Sequence, residues 1–283
     1  MVEQLTDALA QHGEGPVWDE RTKRLLWVDL LKGDLLSIAE GETAAVRTHI
    51  SEVLACVSPR ERGGTVGATE RGFVLIGDDL EVTELPELWS DTSVRMNDGA
   101  CSPDGRYFAG SMAYDETPGA GALYRLDPDG VVTVIFEAVS ISNGLGWTTD
   151  GAAAYYVDSG TASIAKMSYV SATGTFSERR TLVEIDPALG MPDGLCVDEE
   201  DAIWVALWGG GAVHRYLPDG RLDAVIELPV THPTSCCFGG EMLDTLFIAT
   251  SSLPAETYGQ LGAGALFIST PGVSGLPVRR FQG

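Results

Sequence analysis

A six-bladed β-propeller, all-β with four-stranded antiparallel blades around a central channel, is the fold class predicted by this 283-residue sequence. Three observations carry that prediction. A turn-plus-strand unit recurs along the chain, and no periodic run of ten or more residues reads as a helix. The composition, 44% hydrophobic with 34 Gly and 14 Pro, supplies a core together with many turns.

Each unit has a polar head, a short apolar strand, a polar turn and a second apolar strand. The units read GEGPVWDERTKRLLWVDL from Gly13, MNDGACSPDGRYFAGSM from Met96, SNGLGWTTDGAAAYYVDS from Ser142, MPDGLCVDEEDAIWVALW from Met191 and HPTSCCFGGEMLDTLFIAT from His232. A weaker one, LACVSPRERGGTVGATERGFVLIG, lies between the first two, with Val53 or Leu54 as its apolar head. From Asn97 to Asn143, to Asp193 and to Thr234 the intervals are 46, 50 and 41 residues, the period of propeller blades.

More polar, alternating runs such as GALYRLDPDGVVTVIFE from Gly121 and GAVHRYLPDGRLDAVIEL from Gly211 supply third and fourth strands. Radial repetition of such blades protects sheet edges. The segment before Glu14 is expected to add an outer strand to the last blade, with the final GALFISTPGVSGLPVRRF furnishing other strands of that blade. One domain over residues 1–283 is expected, working as a monomer. A large β-sandwich or barrel is the alternative fold, and it requires no repeat at this period.

In a propeller the first strand of each blade lines the channel, so equivalent strand heads converge on one mouth. The heads are Glu14, an apolar blank, Asn97 with Asp98, Asn143, Asp193 and Thr234. Glu14, Asn143 and Asp193 come from different blades and offer only oxygen, a donor set suited to a hard divalent cation. Asp129 and Asp219 also stand in Pro-Asp-Gly sequences, but they precede outer strands and read as turn residues. Asp98 reads either as closing a turn with Gly99 or as a contact to water at the ion.

A net charge of −23 disfavours nucleic acid and anionic membranes as partners. The sequence shows neither a signal-peptide pattern nor a run of about 20 apolar residues, so a cytoplasmic protein is expected. Cys56, Cys101, Cys196, Cys236 and Cys237 lack C-x-x-C spacing and read as small core residues. The four histidines have no zincin spacing, and G-x-S-x-G, an opening G-x-G-x-x-G and the EF-hand loop are absent.

The ordered set GEGPVWD, RMNDGACSPDGRYFAGSM, SNGLGWTTDG, PDGLCVD and PTSCCFGG resembles the family of senescence marker protein (regucalcin), gluconolactonases and luciferin-regenerating enzyme, over nearly the whole chain. The resemblance implies a propeller lactonase, a carboxylic-ester hydrolase that opens sugar lactones to aldonic acids with one divalent cation: calcium, zinc, magnesium, manganese or iron(II). It implies Glu14, Asn143 and Asp193 as protein ligands and Arg95 and Asn97 as the substrate-binding pair. Asp193 is the candidate general base, and Asp115 and Glu116, in the loop after Met112, are further candidates for substrate contact. A phosphotriester or other ester hydrolase and a non-catalytic calcium-binding regulator are the alternative functions.

Overall fold

Short apolar strands separated by glycine-bearing turns pair into six four-stranded antiparallel sheets in the computed structural model, which describes residues 1–253 and 260–283. Five sheets follow chain order from the inner to the outer strand. Their inner strands are Gly13–Asp19 (blade 1), Leu54–Pro59 (blade 2), Val94–Cys101 (blade 3), Ser142–Trp147 (blade 4) and Met191–Val197 (blade 5).

The sixth blade combines both chain ends. Its inner strand Pro233–Gly239 pairs with Thr245–Thr250, then comes Phe267–Ser269, and Glu3–Gln4 forms the outer edge. The expected closure of the ring by the N-terminal segment is therefore observed, with Glu3 opposite Ile268 and Gln4 opposite Phe267. The final segment contributes Phe267–Ser269 to this blade; beyond it the chain leaves the sheet and crosses the face opposite the strand heads. Among the described residues no helix is long and apolar enough to cross a membrane.

Burial follows the radial order: the inner strand Leu54–Pro59 is buried throughout, whereas the outer strand Val46–His49 is largely exposed. Between blades the sheets pack face to face through large rings. Trp18 stacks on Phe247 at 6.1 Å between blades 1 and 6, Phe108 meets Trp147 at 5.6 Å between blades 3 and 4, and Trp204 meets Phe238 at 5.9 Å between blades 5 and 6. Burying one such ring contributes about 1.5–3 kcal/mol. These contacts hold the inner strands around a shared axis, which places their heads at one mouth.

Candidate metal and substrate site

In every blade the pairing of inner and second strand slips at the same level. The register shifts between Glu14 and Val17, Leu54 and Cys56, Met96 and Gly99, Ser142 and Leu145, Pro192 and Leu195, and Pro233 and Ser235. Such bulges re-aim a side chain that would otherwise follow the pleat. The slipped stretches hold Ala55, Asn97 with Asp98, Asn143, Asp193 and Thr234, and Glu14 is the last paired residue before the slip of its blade. In blade 2 the slip begins at Leu54, as in blade 1 it begins at Glu14, and it leaves Ala55 unpaired, so the head of that blade is apolar.

Glu14, Asn143 and Asp193 line one cavity of about 90 Å³ at the mouth, with Arg95, Asn97 and Glu116. All three oxygen-bearing residues are buried, at 3, 5 and 7% exposure. Asn143 Nδ2 donates to Ser159 Oγ at 3.1 Å, and Ser159 Oγ donates to the Pro192 carbonyl at 2.6 Å. This relay joins blades 4 and 5 and fixes the orientation of the amide. Asn143 Oδ1 is left buried with no hydrogen-bond partner among the described residues.

The carboxylates are held under charge stress. Burial raises the Glu14 pKa well above its ordinary value, and Asp193 and Asp98 raise it further. The Asp193 pKa is likewise raised by burial and by Asp98, against the lowering effect of the Asn143 amide. Arg95 opposes both shifts through space, while its own charge is disfavoured by burial. Its Nη1 donates to Met96 O at 2.9 Å and Asn97 Oδ1 at 2.7 Å, and Asn97 Nδ2 donates to Ser142 O at 2.9 Å.

Two buried carboxylates and an orphaned amide oxygen form a donor set that fits a hard divalent cation, since buried charge and buried acceptors both require compensation. Among the described residues no group of three or more His, Cys, Asp and Glu side chains has metal-site geometry.

A family model described as the SMP-30/Gluconolactonase/LRE-like region matches residues 12–252. The chain belongs to this family. It is 37% identical to regucalcin of Danio rerio, with 96% of this chain and 95% of that protein covered. Among solved structures, a luciferin-regenerating enzyme superposes with a TM-score of 0.93 at 25% identity, covering 100% of this chain and 99% of that one. A regucalcin of Agrobacterium tumefaciens, described as a calcium-binding protein, gives 0.93 at 25% identity with 99% and 97% covered.

In this SMP-30/gluconolactonase/LRE-like chain the structure gathers Glu14, Arg95, Asn97, Asn143, Asp193 and Glu116 around one cavity. Asp115 is not among the lining residues: it is exposed, and its carboxylate accepts from Thr117 N at 3.0 Å and Thr117 Oγ1 at 2.7 Å. A short polar side chain two residues before a threonine closes its own loop, which is why its neighbour Glu116, at φ 58°, reaches the cavity instead. Asp98 accepts from Gly99 N at 2.7 Å and lines a second cavity, deeper in the channel.

Sequence reasoning missed His12, Met112, Ile141, Ser159, Met191 and Trp208, which complete the lining. Ser159 and Trp208 stand at the far ends of second strands. Only the antiparallel return of each hairpin brings them level with the strand heads. His12 stands two residues before Glu14, and the position of Glu14 was the one available signal for it. Its pKa is lowered to about 3, first by burial and then by Arg95 and His232, so it is neutral at pH 7.

Proposed function

We propose that this protein is a divalent-metal-dependent lactonase that opens aldonolactones to aldonic acids at the Glu14–Asn143–Asp193 cavity. The observation that carries the reading is Asn143 Oδ1, a buried acceptor without a donor among the described residues, its amide fixed by Ser159 and accompanied by two buried carboxylates. Membership of a family whose description includes gluconolactonase supports the same activity. Glu14, Asn143 and Asp193 would hold the cation, which when bound supplies Lewis acidity toward a carbonyl oxygen.

The chain's own groups account for the remaining chemistry. Asn97 and the Met96 carbonyl hold one arm of the Arg95 guanidinium, so the fork meets substrate hydroxyls without reorganising. Asp193, which lines the cavity beside Glu14 and Asn143, takes a proton from the attacking water. Water oxygen bonds to the lactone carbonyl carbon, the ring carbon–oxygen bond breaks, and the proton passes to the departing ring oxygen. The product is a hydroxy acid, and no redox partner is required.

The test is acid release at constant pH from glucono-, galactono-, arabino- and xylonolactone, using chelated protein with calcium, magnesium, manganese, zinc or iron(II) added back. Chelation should abolish turnover and at least one ion should restore it. Asp193→Ala should lose at least about a hundredfold in kcat while remaining folded by circular dichroism. Turnover indifferent to exhaustive chelation, or near-normal turnover of Asp193→Ala, would overturn the proposal. Ion binding with no turnover on any lactone would favour the non-catalytic calcium-binding alternative.

A further inference from the structure

The site described so far is polar, but one part of its wall is not. Trp208, Met191, Ile141 and Met112 all line the cavity. Met191 and Trp208 face each other across the first two strands of blade 5, and Met112 and Ile141 form a bridge between blades 3 and 4. Four of the six tryptophans, Trp18, Trp27, Trp147 and Trp204, are buried in the core. Trp208 instead remains partly exposed at the mouth.

The indole is held in place from two sides. His232 meets it edge-on with ring centroids 4.5 Å apart, and His12 does so at 5.6 Å. His12 is itself anchored, with Nδ1 2.9 Å from Ser251 Oγ, and His232 Nδ1 lies 2.7 Å from Thr231 Oγ1. A large apolar surface that is wedged between anchored rings, yet not withdrawn from solvent, is a preorganised recognition surface. Arg95 belongs to blade 3 and Trp208 to blade 5, so the two bracket the cavity on either side of Asn143 in blade 4.

We propose that Trp208 is the specificity-determining wall of this site, an aromatic platform for the C–H face of a cyclic sugar ester whose hydroxyl edge meets Arg95. This inference rests on the lactonase reading for its substrate class. A platform of this kind distinguishes ring epimers. An equatorial hydroxyl leaves the C–H face free to stack, whereas an axial hydroxyl turned toward the indole loses its water without gaining a partner.

The experiment compares wild type, Trp208→Ala and Trp208→Phe on epimeric aldonolactones, together with equilibrium titration of tryptophan fluorescence by the lactone and by its aldonate product. Trp208→Ala should raise KM about tenfold with kcat within about twofold, and should narrow the kcat/KM ratio between epimers. Trp208→Phe should restore most of both. Ligand-dependent quenching seen in wild type should vanish in both variants, and calcium affinity should not change. KM and epimer ratio in Trp208→Ala within twofold of wild type would overturn the proposal while leaving the lactonase reading intact. If wild type binds sugar lactone and quenches without hydrolysing it, the lactonase reading fails and the platform stands; if neither hydrolysis nor binding occurs, both fall.

Discussion

Pro128-Asp129-Gly130 and Pro192-Asp193-Gly194 share their three residue types, and their glycines answer different constraints. Gly130 adopts φ 88° with open space where a Cβ would stand, and Asp129 accepts from Val131 N at 3.1 Å, as a surface turn requires. Gly194 is not in the left-handed region. A Cβ there would lie 2.2 Å from Ser235 Oγ and 2.9 Å from Ser235 Cα, so glycine is required for the close approach of the inner strands of blades 5 and 6. Gly194→Ala should therefore destabilise the fold by about 1–3 kcal/mol and weaken divalent-ion binding through Asp193. Gly130→Ala should cost about 1–2 kcal/mol with ion affinity unchanged. Melting curves and calcium titrations of the two variants check this, and equal ion affinities would show that Gly194 does not position the carboxylate. Charge gives a second residue-scale prediction. The Asp98 pKa is raised by burial from 3.8 to about 6, so its contribution to stability is fully present below pH 3.8 and is lost as the pH climbs through about 6. In chelator, Asp98→Asn should gain stability relative to wild type between pH 4 and pH 7.5. A difference that shrinks as pH rises would contradict the sign.

At the scale of elements, the repeat was legible because glycine and polar turns punctuate it at blade-sized intervals. The level of the bulge was not. Blade 2 shows why: without a polar head, nothing in LACVSP marks Ala55 as the residue inside the register slip between Leu54 and Cys56. Ring closure was legible in outline, since a leading segment with no partner of its own has one open sheet edge available. Beyond the pairing of Glu3–Gln4 with Phe267–Ile268, Leu5 N donates to Leu266 O at 2.8 Å, Ala10 N to Gly264 O at 3.0 Å, and Leu266 N to Thr6 Oγ1 at 3.1 Å. Deleting residues 1–10 removes these bonds together. At about 1 kcal/mol each, several lost bonds should lower the melting temperature by about 5–10 °C in a domain of this size. An unchanged melting temperature would show that the ring does not depend on this strand.

The whole molecule shows a feature that no single blade predicts. After Phe267–Ser269 the chain crosses the mouth opposite the candidate site and touches the turns of every blade. Glu199 N donates to Ser274 O at 2.9 Å (blade 5), Gly275 N to Leu243 O at 2.8 Å (blade 6), and Val278 N to Glu20 Oε1 at 3.3 Å (blade 1). Arg279 Nη2 then reaches Thr149 O at 3.4 Å (blade 4), Phe281 N reaches Pro59 O at 3.0 Å (blade 2), and Gln282 N reaches Gly105 O at 3.0 Å (blade 3). This strap covers a cavity of about 160 Å³ lined by Cys101, Cys196, Cys236 and Cys237 with Leu276–Arg279. Removing residues 274–283 should lower the melting temperature and make those thiols react faster with an aromatic disulfide reagent. Thiol reactivity equal to that of the full chain would show that the strap does not seal the channel.

The sequence by itself determined the class of fold, the number of blades and which strand heads carry oxygen, because these depend on local periodicity and turn chemistry along one chain. Only the tertiary structure decided which groups meet. It separated Glu116 from Asp115, brought Ser159 under Asn143 and Trp208 beside His232, and laid the C-terminal strap across the far mouth. The meetings of Ser159 with Asn143 and of Trp208 with His232 each bring the end of one strand to the start of another, at a distance set by bulge geometry and blade packing rather than by residue spacing.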